Sequence, residues 1–241
     1  MSSVAHIKSN DVKTFEVQEL LNHLYGTAEL SAKFAAAFKN QEWGWLLGLW
    51  HDLGKYSDEF QEYIKVNSGY EEDDQKRPKT DHTSAGAILA KEIYPNHWPP
   101  LAYCIAGHHS GLHNFIHEPN IPGDLSERLK KQEFLDKIRS KIPRELFEKI
   151  NLNLPIGKPI EANQMHMWIR MLFSCLVDAD FLDTERFMNP ESSEMRNKYD
   201  SLSELKNRFD NHMEKMCKNA PSTAVNSFRN QILRDCIKSG E

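Results

Sequence analysis

Residues 47–60, LGLWHDLGKYSDEF, set His51 and Asp52 side by side in an apolar run, between Trp50 and Leu53. Burying such a pair is costly unless something compensates it. An imidazole and a carboxylate are both good ligands for a divalent transition metal, and a carboxylate has two oxygens with which to bridge two ions. Lys55, three residues after Asp52 and four after His51, falls on the same helical face, where an ammonium can hold a phosphate oxygen.

Working outward, four other places share this character. His23 sits among leucines in LLNHLYGTAEL, and His82 opens the apolar segment DHTSAGAILA. His108 and His109 form a second vicinal pair in CIAGHHSGL, and Asp180 lies in LVDADFLDTE. Five histidines and two aspartates make seven potential ligands. That is enough for two ions that share Asp52 and keep positions open for water. Two ions about 3.5–4 Å apart can activate an attacking water and steady a leaving oxygen in one in-line displacement.

The surrounding pattern is helical throughout. Apolar residues recur at three and four over 16–38. A second helix covers 42–53 and closes near Gly54, and Ser57 caps a short one carrying Phe60, Tyr63 and Ile64. Residues 67–80 and 112–124 read as loops. Helices are expected from His82 to Pro95, from Pro100 to His109, in amphipathic segments 125–141 and 143–150, over 161–186, and over 193–218 and 222–238. With strand signals nearly absent, the expectation is an all-α fold in a single domain, 1–241, with its core at about 5–187 and C-terminal helices over 190–238.

Composition narrows the function classes. The 241 residues are 39% hydrophobic and 27% charged, with a mean hydropathy of -0.63, so a soluble protein with a real core is expected. No run of about 18 apolar residues marks a membrane helix, and the N-terminus has no secretion signal. The four cysteines lack CxxC spacing, which points to a reducing cytoplasm. A net charge of -5 argues against a general nucleic-acid coat. Single histidines on helices are ordinarily exposed or hydrogen-bonded, and His6, His97, His113, His117, His166 and His212 are read so. Trp43, Trp45 and Trp50 are read as core. The basic stretch from Arg128 through Lys130, Lys131, Lys137, Arg139 and Lys141 is read as a solvated face.

GLWHDLGKYSDEFQEYI resembles the signature of the HD phosphohydrolase superfamily, and specifically the HD nuclease domain of the CRISPR type I effector nuclease-helicase. VAHI, LLNHLYGTAELSAKFA, DHTSAGA, AGHHSGL and LVDADFLDTE occur in that family's order, so the resemblance spans about 5–187. It implies a two-metal nuclease, acting as an endo- or exonuclease on single-stranded DNA in antiviral defence. One ion would be held by His23, His51, Asp52 and Asp180, and the other by Asp52, His82, His108 and His109. Asp178 is the rival of Asp180, which is preferred because Ala179-Asp180-Phe181 fits the family's run. Asp52 and Lys55 would be catalytic, with Lys55 on the scissile phosphate, and Thr184 stands where the family often has a small hydroxyl residue. Nitrogen-rich ligation favours Mn, Fe, Co, Ni or Zn, with Mg kept among the candidates.

The implied partners are single-stranded DNA, a helicase domain in cis or in trans, and a CRISPR RNA-guided surveillance complex, with no membrane. AVNSFRNQILRDCIKSGE resembles the segment leading into the helicase part of fused members, and no P-loop is present. An excised nuclease domain is therefore preferred to a separate subunit. The alternative is an HD phosphohydrolase acting on a nucleotide or cyclic dinucleotide with the same ligands. A catalytically inactive interaction domain is a third reading, against which the intact ligand set argues.

Overall fold

A computed structural model describes residues 2–11, 14–73, 75–116, 124–153, 162–196 and 198–240. The chain clusters into two compact units, Met1–Ser193 and Glu194–Glu241. The expected 5–187 core lies within the first. The expected loop at 112–124 is described only at its ends, because residues 117–123, His117 among them, lie outside the described residues, as does Glu161.

The first unit is mostly helical, as expected, with one addition. Strands β1 (Val4–Asp11) and β2 (Thr14–Glu19) pair antiparallel, with Ile7 opposite Val17 and Lys8 opposite Glu16. Residues 16–19, expected as the start of a helix, belong to β2. Phe15 and Val17 alternate with polar residues along it at the period of a strand, although only Phe15 of the two is partly buried and Val17 is exposed. Helix α1 (Leu20–Ala35) follows directly, and the Leu20 amide donates to Ser3 O at 2.8 Å.

Helix α2 (Gln41–Trp50) ends three residues earlier than the sequence implies. His51 and Asp52 leave it, and Leu53–Tyr56 form a 3-10 turn. Gly54 is required here: its amide donates to His82 O at 3.0 Å, and a β-carbon would lie 2.4 Å from that oxygen. This contact ties the segment before His82 to the one after Asp52. Helix α3 (Asp58–Asn67) starts at Ser57, whose hydroxyl accepts from the Phe60 amide, as expected.

Helix α4 (Ser84–Ile93) begins two residues after His82, because Asp81 accepts from the amides of Thr83 and Ser84 and from the Ser84 hydroxyl. Helix α5 (Trp98–Gly107) ends before His108, and Gly111, at φ 90°, returns its amide to Gly107 O. The segments expected as helices over 125–150 are shorter: α6 (Leu125–Arg128), α7 (Glu133–Asp136) and a 3-10 turn at Arg144–Phe147. Helix α8 (Ala162–Met188) is the long one. Trp43 and Trp50 are buried, their indoles donating to Asn153 O and Leu146 O, and Trp45 packs on the core from its edge.

Helix α9 (Pro190–Arg196) runs across the boundary between the units. In the second unit α10 (Leu202–Asn219) starts on a capping box made by Ser201 and Glu204, which splits the helix expected over 193–218, and α11 (Ala224–Gly240) completes the chain. No residue of α10 or α11 is buried. Among the described residues no helix is long and apolar enough to cross a membrane.

Candidate metal centre

The ligand candidates meet where helices end. His51 and Asp52 follow α2, His82 precedes α4, and His108 and His109 follow α5. His23 comes from α1, and Asp180 from α8. Leaving a helix frees each of these segments to turn its side chains towards the common centre.

Four imidazoles are oriented in the same way. The δ nitrogens of His51, His82 and His108 reach the carbonyls of Gly48, Thr80 and Ile105 at 2.8, 3.2 and 2.8 Å. His23 Nδ1 reaches Asp183 Oδ2 at 2.8 Å. Such partners fix the ring and its tautomer, and every ε nitrogen then points inward. Asp52 lies at their focus. Its Oδ1 faces His108 Nε2 at 3.4 Å and His82 Nε2 at 3.6 Å, while its Oδ2 faces His51 Nε2 at 3.2 Å and His23 Nε2 at 3.4 Å. Asp180 Oδ1 adds contacts of 3.3 Å to His23 and 3.6 Å to His51.

All seven expected ligands therefore come together, in two groups: Asp52, His82, His108 and His109, and His23, His51, Asp52 and Asp180. Within each group the ligand atoms lie within 4.8 Å of one another. Asp180 faces the cluster, whereas Asp178 is exposed. Lys55 is buried, with Nζ 2.7 Å from Asp52 Oδ2. No contact among the described residues ties Thr184 to the cluster.

The donor set fits a cation. Asp52 Oδ1, His82 Nε2 and His108 Nε2 are buried without a hydrogen-bond partner, and buried polar atoms ordinarily have one. Three carboxylates, Asp52, Asp180 and Asp183, gather around the His23 ring, and the Lys55 ammonium stands beside Asp52 alone among them. Burial alone would lower the pKa of His23 and of His51. The carboxylates of Asp180, Asp183 and Asp52 outweigh it at His23 and push that ring up to about 9. The Asp52 charge and the Asp180 contact push His51 up to about 10. Burial opposes ionisation of Asp52, yet His51 and Lys55 hold it well below the usual carboxylate range. On the other side burial lowers His82, and burial with the His108 ring beside it lowers His109 to about 3.

The signs give a testable pH dependence. His23 and His51 lie above their ordinary value, so their protons stabilise the ion-stripped fold fully below about pH 6.5. That contribution is lost as pH rises through 9 and 10. A ligating imidazole has given up its proton, so ion uptake takes over this role. The melting temperature of EDTA-stripped protein is expected to fall from about pH 6.5 towards pH 9.5, while that of ion-loaded protein stays higher there. Coincident melting curves near pH 9 would contradict this.

Three residues were not singled out from the sequence. Asp183 accepts from His23 and also from Gln18 Nε2 at 2.8 Å. It lies three residues after Asp180, on the same helical face. His6, read as an ordinary helix histidine, is on β1, with its ring edge-on to His23 at 4.8 Å and its Nε2 3.4 Å from Lys55 Nζ. Gln18 holds His6 Nδ1 at 2.8 Å. Asp183→Asn should weaken ion affinity about 10–100-fold, as lost outer partners of ligating histidines do. Isothermal titration would measure this, and an unchanged affinity would remove Asp183 from the site.

A family model for the HD domain matches residues 20–148, more than half of the chain. The span takes in His23, His51, Asp52, Lys55, His82, His108 and His109, and stops short of Asp180. No curated protein matches the chain. HD domains are metal-dependent hydrolases, the buried cluster fits divalent-metal binding, and the match points to a metal-dependent phosphohydrolase.

Proposed function

Because the chain belongs to the HD domain family, we propose that it hydrolyses the phosphodiester bonds of single-stranded DNA at a centre for two divalent ions. One observation carries the reading: the two oxygens of Asp52 face two different pairs of histidines. His23, His51, Asp52 and Asp180 would hold one ion, and Asp52, His82, His108 and His109 the other. Bound there, divalent ions supply Lewis-acid activation of water and neutralise phosphate charge. Lys55 stands beside Asp52 with a buried ammonium, a fixed positive charge for a phosphate oxygen. Asp183 and the Gly48, Thr80 and Ile105 carbonyls hold the rings in place.

Support for a polymer comes from the edges of the cluster. His109 is exposed, Asp180 is 17% exposed, and the neighbouring Phe181 is 58% exposed. An aromatic side chain at such an edge offers a base a stacking surface. A helicase domain and an RNA-guided surveillance complex as partners rest on the motif resemblance alone. The test compares circular single-stranded DNA, the matching closed duplex and cyclic dinucleotides, each incubated with protein loaded with Mn, Co or Ni. Circular single strand should be cut and duplex left largely intact. Hydrolysis of the cyclic dinucleotides alone would overturn the nuclease reading in favour of a small-molecule phosphohydrolase.

A further inference from the structure

We propose that the pocket against His82 and His109 is a subsite for a second phosphate of the substrate, next to the phosphate that is hydrolysed, and that Arg128 and Lys79 hold it. The inference rests on the phosphohydrolase reading and adds to it a requirement on the substrate. The pocket, of about 290 Å³, is lined by both histidines and by Lys79, Thr83 and Arg128. His82 and His109 also belong to one of the two ligand groups. A group in this pocket is therefore a near neighbour of whatever occupies the centre.

Arg128 differs from four of the five other basic residues of its stretch, Lys131 being the one set over a ring, that of Phe134. Lys130, Lys137, Arg139 and Lys141 lie at the surface, paired with Glu127, Glu59, Glu92 and Asp58. Arg128 is partly buried and spends Nη1 on neutral acceptors, Thr83 Oγ1 at 2.9 Å and Ala106 O at 3.3 Å. Among the described residues no carboxylate lies within salt-bridge distance of it, although its charge helps to hold the Asp81 carboxyl below the usual range. Asp81, on the same pocket wall, already accepts from the Thr83 and Ser84 amides and the Ser84 hydroxyl. The guanidinium is thus held in one orientation by uncharged groups. It keeps donors for an anion, in the fork geometry that suits phosphate. Lys79, exposed at the rim, adds a second positive charge.

A flanking phosphate comes from the next nucleotide of a strand or from the polyphosphate of a nucleotide. Ion-loaded full-length protein is assayed with bis-p-nitrophenyl phosphate, trithymidylate and thymidine triphosphate. Arg128→Gln is expected to raise the KM for trithymidylate about tenfold, the effect of one lost charge-assisted contact, and Arg128→Lys to restore part of it. In fluorescence anisotropy of a labelled oligonucleotide with EDTA-treated protein, the slope of log affinity against log salt should fall by about 0.7. A merely structural role would leave that slope unmoved.

Lys79→Gln, at an exposed position, should give a smaller shift in the same direction and covers the case in which Arg128→Gln does not fold. The same dependence on Arg128 for thymidine triphosphate but not trithymidylate would support the subsite and assign it to a nucleotide. Unchanged KM and unchanged salt slope in the folded variants would overturn it. If the wild-type protein hydrolysed none of the three esters, the phosphohydrolase reading would fail, and the salt slope would still decide the subsite.

Discussion

Asp52→Ala is expected to lower the hydrolysis rate at least about 10³-fold, or about 4 kcal/mol of barrier, while far-UV circular dichroism keeps its helical amplitude. Asp52 belongs to both ligand groups, and no other candidate does. On the proposed two-ion centre, losing it would disturb both positions, whereas losing any one histidine would disturb one. The substitution also strands Lys55, which is 4% exposed and, among the described residues, has its one ion pair with Asp52. Removing one partner of a buried pair typically costs about 3–5 kcal/mol, so the melting temperature should fall as well. Asp52→Ala combined with Lys55→Met separates the two effects. Stability should return in part, and activity should not. A single variant that hydrolysed at near-normal rates would show that the centre does not depend on a shared carboxylate.

Gly86→Ala should have a large effect on the scaffold without touching a candidate ligand. A β-carbon there would lie 1.9 Å from Trp50 O and 3.1 Å from Ile105 Cγ2. The first contact is with backbone, at the end of α2, immediately before His51. Neither side can yield by a rotamer change, so α4 has to move away. Overpacking of this kind costs typically 1–3 kcal/mol, and about 3 is expected against backbone. For a chain of this size that is a drop of roughly 6–12 °C in melting temperature. Because His82 directly precedes α4, ion affinity should weaken too. Gly240→Ala, where a β-carbon would meet nothing within 4 Å, is the control and should shift stability by no more than about 0.5 kcal/mol.

The residues of the cluster were legible because their chemistry is local. Two vicinal pairs, His51-Asp52 and His108-His109, close apolar helices, and a polar pair at such a place has few reasons to exist except a common centre. The hairpin was not legible, because pairing of β1 with β2 is a contact between segments. Val17, Leu20, Leu21 and Leu24 satisfy the helical spacing as well as Phe15 and Val17 satisfy the strand, so the period of α1 extends backwards into β2. With the hairpin went His6 and Gln18, whose places beside Lys55 and Asp183 depend on its register. Asp183 was overshadowed by the choice between Asp178 and Asp180, although its spacing from Asp180 is that of one helix face. Arg128 could not be told from the other basic residues around it, since only the fold shows which of them meets an acid. Ser201 and Glu204 do carry a readable S-x-x-E cap, which marks the break inside the helix expected over 193–218.

The most direct test of the shared centre is a crystal structure of Mn-loaded protein with anomalous differences recorded at the Mn edge. Two peaks about 3.5–4 Å apart are expected, one beside His23, His51 and Asp180, the other beside His82, His108 and His109, with an oxygen of Asp52 on each. A single peak, or a pair to which Asp52 contributes to only one, would contradict it.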